Sequence, residues 1–129
     1  MLVDSSVWID YFNGRITPET DLLDQSLGID EVIIGDLIVT EVLQGFRNDA
    51  DFRKARELLG TLPVVAMLGP EAAVGAAENY RRLRKQGVTV RKTIDVMIAS
   101  YCIEHNIALL YSDRDFAPMV KHLHLQSAI

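Results

Sequence analysis

Cysteine is nearly absent from this 129-residue chain: Cys102 stands alone, which excludes an internal disulfide and every cysteine-rich zinc site. Histidine is scarce as well. His105, His122 and His124 fall in no metal-ligand motif, so zinc has no support from them. No apolar run approaches the roughly 18–20 residues that cross a bilayer, and Met1-Leu2-Val3 meets Asp4 at once. Neither a signal peptide nor a membrane helix is therefore expected, and a cytoplasmic location is. GxGxxG and P-loop patterns are missing, as are repeats, low-complexity tracts and Pro/Gly-rich linkers. The length suits a single domain, taken as residues 1–129.

What is present is a core-forming composition: 49% hydrophobic and 24% charged residues, too apolar for a disordered chain. Cys102, inside Met97-Ile98-Ala99-Ser100-Tyr101-Cys102-Ile103, reads as a small buried hydrophobe. The net charge of −5 carries no nucleic-acid footprint for the chain as a whole. Its distribution is uneven, because residues 1–60 carry a net −7 and residues 61–129 a net +2. Arg81, Arg82, Arg84, Lys85, Arg91 and Lys92, six of the 13 basic residues, fall in one segment. They form either a solvated helix face or a patch that contacts phosphates.

Short apolar runs read as buried strands at Met1-Leu2-Val3, Val32-Ile33-Ile34, Pro63-Val64-Val65-Ala66 and Ala108-Leu109-Leu110-Tyr111, with a weaker one at Leu123-His124-Leu125. Helical patterns lie between them. Thr17-Pro18-Glu19 starts one, Asp36 is expected to cap a helix through Gly45, and Thr93 one from Ile94 to about Glu104. Gly69-Pro70-Glu71 opens a long helix that Gly87 closes. Strands alternating with helices, with little polar alternation inside the strands, predict a three-layer α/β/α sandwich around a mainly parallel sheet of four to five strands. Ligands on such sheets sit at the carboxyl ends of the strands.

Carboxylates occur where apolar segments should exclude them. Asp4 ends the first strand, where it is either an N-cap or a functional group. Glu41 sits within Leu37-Ile38-Val39-Thr40-Glu41-Val42-Leu43, and Glu is rarely buried without a partner. Asp95 lies in a helix apolar nearly all round, and its first-turn position lets the helix dipole favour the anion. Asp113 and Asp115 follow another strand, and either can also cap a short helix through Phe116. Separate caps or buried ion pairs would need cationic partners, yet no Lys or Arg is local to Asp4 or Glu41. Convergence on one site explains all of them. Clustered carboxylates repel unless a cation joins them, and an all-oxygen set selects hard Mg²⁺ or Mn²⁺. Such a site suits attack of water on a phosphodiester.

Asp4-Ser5-Ser6 after the first strand, Thr40-Glu41 with Gly45 one turn on, Thr93-Ile94-Asp95 with Ile98-Ala99 following, and Leu109-Leu110-Tyr111-Ser112-Asp113-Arg114-Asp115-Phe116 together resemble a PIN domain. Within that family the chain is similar, over essentially its whole length, to VapC-type toxin ribonucleases of toxin–antitoxin pairs. The resemblance implies Mg²⁺-dependent endonucleolytic cleavage of RNA, a homodimer, and a VapB-type antitoxin that blocks the site. It makes Asp4 and Asp95 direct metal ligands, with Glu41 and Asp113 completing an acidic quartet. Ser6 matches a small hydroxyl position that holds a carboxylate or a metal-bound water, and Asp115 is an auxiliary acid. Trp8, Tyr11 and Phe12 share a helix, as core or as a groove for an antitoxin helix.

Two other classes compete. A phospho-accepting receiver domain has this length and sheet type, but needs a Lys after a late strand, and none follows Ser112-Asp113 until Lys121. A haloacid dehalogenase-type phosphatase needs Asp-x-Asp after the first strand, where this chain has Asp4-Ser5-Ser6. A PIN-like binding scaffold without catalysis is the remaining alternative.

Overall fold

The computed structural model describes residues 1–29 and 31–129. Its strands are short: β1 (Leu2–Val3), β2 (Ile34–Gly35), β3 (Val64–Val65) and β4 (Leu109–Leu110). β1 pairs with β4, Leu2 opposite Leu109, and β2 pairs with β3, Ile34 opposite Val64. A parallel bridge between Leu2 and Ile33 joins the two pairs, so the lateral order is β3-β2-β1-β4. All these pairings are parallel. Leu2, Val3, Ile34, Leu109 and Leu110 are fully buried, which is why these runs lack polar alternation. Each such side chain contributes roughly 1.5–3 kcal/mol on leaving water.

Two helix groups cover the sheet. In the first, α1 (Ser5–Phe12) contacts α2 (Pro18–Ser26) and α3 (Asp36–Gln44), and α3 contacts α4 (Asp49–Leu59). In the second, α5 (Pro70–Lys85) packs on α6 (Thr93–Glu104) and on α7 (Ala117–Leu123), which follows a single 3-10 turn at Arg114–Phe116. This is the expected α/β/α layering. Thr17 caps α2 in a reciprocal capping box with Thr20, and Gly87, at φ +78°, turns the chain out of α5. β2 ends at Gly35, where a Cβ would collide with the Met67 side chain, so the missing side chain lets Met67 seal the core.

Several local expectations need correction. Leu123-His124-Leu125 is not a strand: Leu123 ends α7, buried one turn after Met119, and His124 breaks the helix in the left-handed conformation. The sheet's outer edge is instead met by a one-residue bridge from Ser127 to Leu109. Asp36 and Thr93 are first helical residues rather than caps, behind Gly35 and Lys92, neither of which bonds the helix through a side chain. Asp36 Oδ1 accepts from the Leu37 and Met67 amides and so ties the exit of β3 to the start of α3. No expectation above covers α4, whose start is capped by Asn48 accepting from the Ala50 and Asp51 amides.

Candidate metal centre

The carboxyl ends of β1 and β4 lie side by side, and each delivers an acid. Asp4, 2% exposed, is the N-cap of α1 and also keeps one carboxylate oxygen unpaired. Its Oδ2 accepts from the Ser6 amide at 3.0 Å and the Ser6 hydroxyl at 2.6 Å, capping α1, while Oδ1 is buried with no hydrogen-bond partner. Burial pushes its carboxyl above the ordinary range, against the bonds from Ser6. Ser6 Oγ also accepts from the Ser112 amide at 3.1 Å, so one hydroxyl joins the ends of the two strands.

Glu41 projects from α3 with Oε1 buried and unpaired. Burial, then the charge of Asp4, raises its carboxyl. Asp95, in the first turn of α6, is 3% exposed, and its Oδ2 has no hydrogen-bond donor. Burial is the main reason that its pKa is pushed up to about 7; Lys92 opposes the shift, while Asp4, Asp113 and Glu41 add to it. Asp113 behaves in the opposite way. Its Oδ1 accepts from the Asp115 amide at 2.9 Å and its Oδ2 from Lys92 Nζ at 3.2 Å, and despite its burial these donors hold it below the usual carboxylate range.

One carboxylate oxygen each from Asp95, Asp113 and Asp115 lies within 4.8 Å of the other two, a spacing that one cation can bridge. Asp115, an auxiliary in the sequence reading, thus shares this cluster with Asp95 and Asp113. Asp4 and Glu41 adjoin the trio, since their charges reach Asp95. Oxygens of Asp4, Glu41 and Asp95 are buried without hydrogen-bond donors. A buried acidic group of this kind can bind a metal ion.

The six basic residues divide between the last turns of α5 and the segment before α6. Arg81, Arg82, Arg84 and Lys85 lie on the last turns of α5, where Arg81 and Arg84 border a groove of about 370 Å³ lined by Ala73, Ala77, Tyr80 and Met97. Arg91 Nε stands 3.5 Å from Asp115 Oδ1. Lys92 lies inside the acidic site, 3.7 Å from Asp95 Oδ2 in addition to its bond with Asp113. Its spacing of three residues from Asp95 was the available signal for that placement. Trp8 is core, stacked on Phe12, whereas Phe12 is half-buried and lines a cleft of about 120 Å³ with Ile9, Val42 and Phe46. Tyr11 turns its hydroxyl to Asp24.

The family model of the PIN domain matches residues 1–121. A VapC ribonuclease of Mycobacterium bovis and ribonuclease VapC11 of Mycobacterium tuberculosis are each 28% identical over 132 residues, covering 99% of this chain and 97% of theirs. Among solved structures, VapBC2 from Rickettsia felis, bound to a promoter DNA fragment, superposes with a TM-score of 0.77 at 15% identity over 98% of this chain and 95% of that one. VapBC-1 from nontypeable Haemophilus influenzae gives 0.74 at 18% identity, over 98% and 94%. These structural likenesses concern the fold.

Proposed function

This chain belongs to the PIN domain family, and from that premise we propose that it is a metal-dependent endoribonuclease that hydrolyses RNA phosphodiester bonds as the toxin of a type II toxin–antitoxin pair. The observation that carries the reading is the set of buried, donorless oxygens on Asp4 at the carboxyl end of β1, Glu41 on α3 and Asp95 in the first turn of α6. The relatives from the two mycobacteria are VapC ribonucleases, which supports the substrate class. The receiver alternative requires a different family, and the scaffold alternative leaves the acids without a task.

The donor set is all oxygen and fits Mg²⁺, with Mn²⁺ as a substitute. When bound, the divalent ion supplies an activated water and countercharge for the phosphate. Asp4 and Asp95 would be its direct ligands, with Glu41 and Asp113 completing the quartet. Ser6 fixes the rotamer of Asp4 through Oδ2 and leaves Oδ1 free. The Asp115 amide orients Asp113, and in the metal-free protein Lys92 helps keep it ionised. Arg81, Arg82, Arg84 and Lys85 draw the RNA backbone toward an otherwise acidic site. The cleft at Ile9, Phe12, Val42 and Phe46 takes an apolar side chain of a VapB-type antitoxin. The solved neighbours from Rickettsia felis and Haemophilus influenzae are VapBC assemblies, in keeping with such a partner. A homodimer working in the cytoplasm belongs to the same reading, and no described helix is long and apolar enough to cross a membrane.

Purified, antitoxin-free protein tests it. Cleavage of RNA is expected to stop in EDTA and in Asp4→Asn. Equal cleavage in EDTA, with a contaminant excluded by the inactive variant, refutes the metal mechanism.

A further inference from the structure

Lys92 precedes α6 in an extended conformation and caps nothing with its side chain. Its ammonium is shared instead between two acids from different elements: Asp113 Oδ2, hydrogen-bonded at 3.2 Å, and Asp95 Oδ2, at 3.7 Å and without any donor. The side chain is 50% exposed, against 4% for that of Asp95, so the cation reaches in from solvent while the anion cannot reach out. A lysine ammonium is a compact charge on a four-carbon stem, able to swing away without moving the backbone. Arg91, the other cation at the cluster, is held on Asp115 and meets neither of these oxygens.

Lys92 Nζ stands beside oxygens of Asp95 and Asp113 that would help hold a divalent ion, and a second positive charge this close to such an ion would be repelled by it. We propose that Lys92 is an exchangeable counter-ion of the acidic cluster, pairing with Asp95 and Asp113 in the metal-free protein and releasing both carboxylates when a divalent cation enters. The inference rests on the metal-centre reading above and goes beyond it: the site carries its own competitor. Lys92 spares the metal-free cluster part of its self-repulsion, and it raises the metal concentration needed to fill the site. Metal entry also frees one positive charge at the edge of the site.

The test uses Lys92→Gln, with Lys92→Arg as the charge-preserving variant and Lys121→Gln, exposed on α7, as the matched loss of one charge elsewhere. Mn²⁺ is titrated calorimetrically into each antitoxin-free protein, and thermal unfolding is followed in EDTA. Lys92→Gln is expected to bind Mn²⁺ about tenfold more tightly than wild type, equivalent to about 1.4 kcal/mol. It is also expected to melt about 4 °C lower in EDTA. Lys92→Arg and Lys121→Gln stay close to wild type in both. Unchanged or weaker Mn²⁺ binding by Lys92→Gln overturns the exchange while the metal centre stands. A wild type that binds no Mn²⁺, or binds it equally well as Asp95→Asn, overturns the metal centre itself.

Discussion

Replacing Asp95 by Asn removes one anion from the cluster and nearly keeps the side-chain volume. In the metal-free protein the Asp95 carboxylate is buried, lacks a donor on Oδ2 and feels Asp4, Asp113 and Glu41, which together with burial lifts its pKa from 3.8 to about 7. The native state thus binds the proton more tightly than the unfolded chain. Asp95 therefore costs nothing below about pH 4 and costs progressively more as pH rises through about 7. Taken whole, the shift corresponds to about 4 kcal/mol above roughly pH 8. Solvent at the half-exposed Lys92 screens the cluster, and a discount of one half leaves about 2 kcal/mol. Asp95→Asn should therefore stabilise the metal-free protein by about 2 kcal/mol near pH 8, or roughly 6–10 °C, and by little near pH 4. Its amide can also donate to neighbouring carboxylates. Added Mg²⁺ or Mn²⁺ should stabilise the wild type by about 2.7 kcal/mol at a hundredfold excess over Kd and leave the variant nearly unchanged. Paired urea denaturation curves at both pH values, with and without metal, read all of this. A variant that loses roughly 3–5 kcal/mol without metal would mean that Asp95 mainly serves as the buried partner of Lys92, and would refute the repulsion argument.

Ser6→Ala removes the hydroxyl that donates to Asp4 and accepts from the Ser112 amide, leaving both groups short of a partner. A loss of about 1–3 kcal/mol in urea unfolding is expected, with unchanged stability counting against the bridge. Changing Arg84 and Lys85 together to Glu should weaken RNA binding and reduce its dependence on log salt by roughly 0.7 for each phosphate no longer neutralised. Unchanged affinity and slope would return these residues to a solvated face.

The acids were legible because each violates a rule of burial on its own. Asp4, Glu41 and Asp95 interrupt apolar segments, and no local pattern excuses Glu41. The parallel sheet was legible for a related reason, since runs such as Leu109-Leu110 are apolar on both faces. The Ser127 edge was not, because a one-residue bridge has no periodicity and Leu123-His124-Leu125 satisfies strand alternation while completing a helix. The acid partners of Lys92 were not legible for a different reason. Within the sequence it belongs to a basic run, and only tertiary structure brings Asp113 to its ammonium from 21 residues away. Competition between a neighbouring charge run and a distant partner is settled in space, not by spacing.

The pairing of Leu2 with Leu109 also sets an order in time. β1, with Asp4 at its end, is made long before its partner β4, with Asp113 just beyond. Closing so long a loop is a late step, since its entropy cost precedes the contacts that reward it. A growing chain therefore carries Asp4, then Glu41, then Asp95, without the strand that gathers them. If the assembled acids cut RNA, a nascent or prematurely terminated copy cannot harm the ribosome making it. Any such cleavage would begin only after β4 has paired with β1.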